Sequence, residues 1–164
     1  RNGVAGGRPR RGVLKRVGMG MAMPEESIDA AQQELIEEFG FFDDWMQRYE
    51  YLIDLGRKLP PLDPDFMQDD FKLRGCQSQV WLVGRQEADR LVFQATSDAA
   101  IVCGLIALVL RVYSNRTPRE IIDTPADFIA AIGLDDHLSP TRKNGLGAML
   151  AAIKERAGQA LAAA

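Results

Sequence analysis

The sequence predicts an α+β domain, and three observations carry that prediction. Helical apolar spacing runs from about residue 24 to residue 56, two strand-like runs lie between residues 79 and 96, and helical spacing returns from residue 97 onward. The expected architecture is a small antiparallel sheet, a hairpin at about 79–96 plus a short strand near 71–73, with helices packed on one face. At 164 residues the chain has room for one core and little more. Residues 24–164 read as a single domain, preceded by a basic extension over residues 1–23.

The first helix pattern starts at Pro24 and repeats Ile28, Ala31, Leu35, Ile36 and Phe39 on one face, with acids near its start and Gly40 at its end. A second begins after Asp43 or Asp44 as N-cap. It carries Trp45, Tyr49, Leu52, Ile53 and Leu55, and closes at Gly56 and the Pro60-Pro61 pair. The stretch "PLDPDFMQDD" is rich in Pro and Asp and reads as turns. Two β-branched and aromatic runs, "SQVWLVGRQ" and "RLVFQATS", flank Glu87-Ala88-Asp89 and predict a hairpin.

The run "SDAAIVCGLIALVLRVYSN" is apolar enough to suggest a membrane span. Arg111 interrupts it after about a dozen residues, short of the roughly 20 a span needs. It therefore predicts a buried core helix capped by Ser97 or Asp98. Thr117-Pro118 and Thr124-Pro125 each offer a cap followed by Pro at the first helical position, so two short helices are expected in "TPREIIDTPADFIAAIG". A last helix starts at Ser139-Pro140 and continues through Leu146, Met149, Leu150 and Ile153 to the Ala-rich end.

Charge is unevenly spread. Residues 1–23 hold six of the 20 cations and no acid, so residues 24–164 carry 14 cations against 23 acids, a net −9. A domain this acidic is poorly suited to neutralising phosphates, which argues against nucleic acid as a partner. A protein or a small molecule fits better. The basic segment reads as a disordered extension or the product of an upstream start, with an organelle transit peptide or a nucleic-acid arm as alternatives. Two cysteines and one histidine cannot supply the four ligands of a structural zinc site, and nothing resembles a secretory signal. A reducing cytoplasm is the expected compartment, or an organelle if the basic segment is a transit peptide, and no membrane attachment is expected.

Phosphate-binding Gly-rich loops, H-E-x-x-H and G-x-S-x-G are all absent from the sequence, which leaves kinases, dehydrogenases and hydrolases without support. Two thiols remain. Cys103 lies within "AIVCGLIAL", where a cysteine acts as a small hydrophobe. Cys76 stands between Gly75 and Gln77 at the entrance to the first strand, and Arg74 two residues away is expected to favour its thiolate. From the residues alone, Cys76 reads equally as a packed or a reactive thiol. His137 is a candidate base for it, although a histidine near a helix start is more often a capping or surface residue.

Three blocks decide between these readings: "RGCQSQVWLV", "SDAAIVCGLIALVL" and "HLSPTRKNGLGAML". In order and spacing they resemble signature segments of the SufE family, sulfur acceptors for cysteine desulfurases in iron–sulfur cluster assembly, over about Phe41 to Ala157. The resemblance implies the compact α+β fold shared with IscU-type scaffolds. It also implies that Cys76 accepts a sulfane sulfur as a persulfide, stimulates a desulfurase of the SufS or CsdA kind, and passes sulfur to a SufBCD-like scaffold complex. Asp98 and Arg142 match positions associated with the cysteine loop and desulfurase contact. Arg74, Gly75, Gln77, Ser78 and Gln79 match the loop, and His137 matches a recurrent position, a possible site residue to which the resemblance alone assigns no catalytic role. No cofactor is expected on this chain, pyridoxal phosphate belonging to the desulfurase, and no metal. A second copy of the chain is a further candidate partner.

The pattern is departed from in three places. Residues 1–23 have no counterpart, Ala95-Thr96 replace a common Gly-Asp, and Cys103 sits where the family needs no thiol. The alternatives to a sulfur carrier are a non-covalent desulfurase adapter and a self-standing Cys/His thiol enzyme.

Overall fold

The computed structural model describes residues 26–164. The basic segment 1–23, and Pro24 with it, lie outside those residues. Among the described residues, seven helices and one hairpin follow in order: α1 (Ile28–Gly40), α2 (Trp45–Arg57), β1 (Val80–Glu87), β2 (Arg90–Ser97), α3 (Ala100–Tyr113), α4 (Pro118–Asp123), α5 (Asp127–Ile132), α6 (Leu134–His137) and α7 (Pro140–Ala162). Two 3₁₀ turns, Pro64–Phe66 and Asp69–Phe71, occupy the Asp-rich connection before the hairpin. The α+β prediction matches this architecture.

Helices α1, α2, α4 and α7 start where a side chain satisfies a free backbone N–H. Ser27 caps α1 through the Ala30 N–H, so α1 begins at Ile28. Asp44 rather than Asp43 caps α2 through Gln47. Gly56, expected to end α2, lies buried within its last turn, and Lys58 is the C-cap. Thr117 and Glu120 form a reciprocal capping box on α4, and Ser139 caps α7 with Pro140 in its first turn.

Two expected caps are not used. Neither Ser97 nor Asp98 caps α3, which starts from Ala99 without a side-chain bond. Thr124 does not cap α5, whose N-cap is Ala126. The Thr124 carbonyl instead accepts from the Tyr113 hydroxyl at 2.9 Å and from Lys154 Nζ at 3.0 Å, which fixes the connection between α3, α4 and α7. Helix α6, a single turn ending at His137, had no separate signal in the sequence.

β1 and β2 pair antiparallel from Val80↔Ser97 to Glu87↔Arg90, leaving a two-residue loop, Ala88-Asp89, with Ala88 in the left-handed region at φ 54°. The short strand expected near 71–73 is a single bridge, Lys72 to Trp81, reinforced by the Leu73 N–H donating to the Val80 carbonyl at 2.8 Å. Two 3₁₀ turns in the preceding segment leave no extended run long enough to lengthen that bridge into a ladder.

Side chains alternate across the hairpin, so Val80, Leu91, Phe93 and Ala95 share one face. That face joins α1, α3 and α7 in one core, which includes Leu35, Phe39, Ile106, Val109, Met149 and Ile153. Helix α3 runs through its middle and is buried from Gly104 to Leu110 and again at Val112 and Tyr113. Burying each such aliphatic side chain is worth roughly 1.5–3 kcal/mol, which accounts for a helix that is apolar nearly all round in a domain of this size.

At the crossing of α2 and α3 the two backbones touch. A Cβ built on Gly56 would lie 2.6 Å from the Gly104 nitrogen, and one on Gly104 would collide with the Leu52 carbonyl. The outer end of α3 is tied to α1 by Arg111, which pairs with Glu34 and, through two nitrogens, with Glu26.

Candidate functional site

The loop from Arg74 to Gln79 connects the Lys72 bridge to β1, and both of its ends are fixed by backbone bonds. On the upstream side stands the Leu73–Val80 bond. On the downstream side the Asp98 carboxylate accepts from the Gln79 N–H at 3.0 Å, and the Asp98 N–H donates to the Gln79 carbonyl at 3.3 Å. Between these ties Gly75 adopts φ 86°, a conformation that side-chain-bearing residues rarely take. The loop turns there, and Cys76 is directed back toward the protein.

The Cys76 thiol is half-buried, and its sulfur lies 3.9 Å from the Gly145 carbonyl on α7, a weak S–H···O contact. It borders a small cavity whose apolar floor is Val80, Val102, Leu105, Leu146 and Met149. Gln77, Ser78, Thr141 and Arg142 line the same cavity with polar groups. The free void is about 20 Å³. That is room for about one water-sized group.

This geometry reverses the expected electrostatics of the thiol. Burial, its single cause, raises the Cys76 pKa above that of an ordinary thiol, because the thiolate loses hydration it would have in water. Arg74 is exposed and is not among the residues that line the cavity, and it does not offset that cost. At neutral pH the resting thiol is protonated and weakly nucleophilic.

Of the residues singled out in the sequence, Cys76, Gln77, Ser78 and Arg142 meet around the cavity, while Gln79 and Asp98 pair at its edge. His137 is elsewhere. Its ring stacks on Trp45 at 3.7 Å between centroids, its Nδ1 lies 3.0 Å from the Gly133 carbonyl, and its own carbonyl accepts from the Tyr49 hydroxyl. These contacts join α2 to α6 and do not include Cys76. The second thiol, Cys103, donates to the Ser97 carbonyl at 3.3 Å and takes no part in the cavity.

Sequence reasoning missed Gly145 and the walls contributed by Val102 and Leu105. Leu146 and Met149 were read only as the apolar stripe of the last helix. Among the described residues no group of three or more His, Cys, Asp or Glu side chains could hold a metal, and no helix is long and apolar enough to cross a membrane.

A loop thiol sheltered against an apolar cavity, in a chain whose one histidine stacks on Trp45, defines a thiol-bearing α+β domain. The comparisons with known proteins agree. Residues 33–157 match the family model described as "SufE: Fe-S metabolism associated domain". An uncharacterized SufE-like protein of Rhizobium meliloti is 43% identical over 129 residues, covering 76% of this chain and 92% of that protein. One from Rhizobium etli is 41% identical over 142 residues, 84% of this chain and 96% of the other. The solution structure of a hypothetical protein from Thermus thermophilus superposes with a TM-score of 0.67, at 20% identity over 80% of this chain and 96% of that one, a likeness of fold. The chain belongs to the SufE family, whose domain is associated with iron–sulfur metabolism.

Proposed function

We propose that this protein is a sulfur carrier: Cys76 takes the outer sulfur of a persulfide on a pyridoxal-phosphate-dependent cysteine desulfurase and passes it to an iron–sulfur scaffold complex. The observation that carries the reading is the placement of Cys76. It sits on a loop tied at both ends and hinged at Gly75, facing an apolar cavity with room for about one more small group.

The transfer is thiol–persulfide exchange. The Cys76 thiolate attacks the outer sulfur of the donor's S–SH, a bond forms between Cys76 Sγ and that sulfur, and the donor S–S bond breaks. The donor leaves as a thiolate, and the outer sulfur keeps its proton, with no net oxidation. Such exchange favours an attacking thiol whose pKa is near ambient pH. Burial holds Cys76 above that range at rest, so acceptance follows an outward swing of the Arg74–Gln79 loop on docking, which returns water to the sulfur. Retraction then shelters the loaded sulfur from cellular thiols.

Arg142, exposed beside the cavity, and Asp98 at the loop's end are the contacts through which the desulfurase engages the loop. The carrier itself needs no cofactor. Mass spectrometry of the protein after incubation with a cysteine desulfurase and cysteine tests the reading. A gain of one or more sulfur atoms at Cys76 is expected; desulfurase stimulation with no gain of sulfur would leave a non-covalent adapter instead.

A further inference from the structure

A side chain at position 145 would meet one thing. A Cβ built on Gly145 lies 3.5 Å from Cys76 Sγ, and no other heavy atom outside its own helix's backbone and its chain neighbours comes within 4 Å of it. That distance is ordinary van der Waals contact, so an alanine fits beside the thiol. The space is therefore not required by the resting thiol, although glycine within a helix is less favourable than alanine. Gly147, further along α7, has nothing within 4 Å of its Cβ position and is exposed, so it makes no comparable contact.

We infer that Gly145 keeps open the space that the outer sulfur of a Cys76 persulfide occupies when the loop is retracted. The inference rests on the sulfur-carrier reading and adds the residue that sizes the resting site for the loaded state. The outer sulfur stands about 2 Å beyond Sγ. Beside Val80, Val102, Leu105, Leu146 and Met149, the void of about 20 Å³ matches the size of a single added atom. A methyl group on residue 145 removes part of that void from the side next to the sulfur. The thiol form then stays retracted, whereas the persulfide form is overpacked and the loop is pushed outward.

The test uses full-length protein in a Cys103→Ser background, loaded chemically so that it does not depend on any desulfurase. Cys76 is first converted to a mixed disulfide with an aromatic thiol. Hydrosulfide then attacks Sγ, expels the aromatic thiolate and leaves Cys76 as S–SH. Loss of the outer sulfur to glutathione, whose thiolate attacks it and releases the Cys76 thiolate, is followed by intact mass for the parent, Gly145→Ala and Gly147→Ala proteins.

The expected result is loss about tenfold faster in Gly145→Ala, the scale set by modest overpacking of a small site, with Gly147→Ala matching the parent. Alkylation of the unloaded thiol is expected to be the same in all three. Equal rates of sulfur loss overturn the inference, and so does faster alkylation of the unloaded Gly145→Ala thiol, which would assign the glycine to the thiol alone. Failure of a desulfurase to load the parent protein is a separate result, which overturns the carrier reading and leaves this comparison standing.

Discussion

Asp98 and Gln79 hold each other by two hydrogen bonds, a carboxylate accepting at 3.0 Å and a backbone N–H donating at 3.3 Å, one residue beyond the last hairpin pair, Val80↔Ser97. The pair extends the hairpin up to the cysteine loop. Without the carboxylate, the loop's downstream tie is halved. Asp98→Ala is expected to speed iodoacetamide alkylation of Cys76 and to cost about 1 kcal/mol of stability, or about 2–4 °C in Tm. Unchanged alkylation would mean that the loop is held elsewhere.

The raised pKa of Cys76 has a signed consequence for pH. The folded state holds the thiol proton more tightly than the unfolded chain does, so the native state binds more protons between the two pKa values. This contribution to stability is fully present below the unfolded thiol pKa of about 8.5 and is lost as pH rises through the folded value. In a Cys103→Ser background, the alkylation rate is expected to climb at higher pH than for a free thiol, and Cys76→Ser is expected to remove the matching alkaline fall in stability. A titration midpoint at or below that of free cysteine would contradict the buried resting position.

Substituting His137 is expected to leave Cys76 chemistry alone. His137→Ala removes the stack on Trp45, at a cost of roughly 0.5–1.5 kcal/mol. Sulfur gain at Cys76 and its pH dependence are expected to match the parent. A large loss of sulfur acceptance with normal folding would restore the Cys/His reading.

The crossing of α2 and α3 tolerates no side chain. Gly104→Ala drives a methyl group into the Leu52 carbonyl, and Gly56→Ala drives one into the Gly104 nitrogen. Each is expected to destabilise the protein by about 1–3 kcal/mol in urea unfolding, in contrast to a neutral or slightly stabilising Gly147→Ala. Normal stability in Gly104→Ala would require the helices to have separated.

Local chemistry was legible in the sequence wherever neighbours in the chain decide the outcome. The Thr117-Pro118 start of α4, the Ser139-Pro140 start of α7 and the hairpin around Ala88-Asp89 are of this kind. Thr124-Pro125 carries the same local signal as Thr117-Pro118 yet starts no helix, because its carbonyl is claimed by Tyr113 and by Lys154, 30 residues on. The cysteine loop was visible through its own residues and through Asp98. What the thiol faces was not, since Gly145 lies 69 positions from Cys76 and looks like any other glycine of an Ala- and Gly-rich helix. Arg74 misled for the same reason: adjacency in the chain placed a charge near the thiol, whereas folding turned the sulfur inward.

The contact of Gly56 with Gly104 also divides labour within the site. Helix α3 contributes Val102 and Leu105 to the cavity, and they flank the point where its backbone is pressed against α2. A wall braced in this way has no space to shift toward α2. If the Arg74–Gln79 loop swings out as proposed, it acts as a stopper on a fixed socket, and access to the sulfur depends on the few bonds at the loop's two ends.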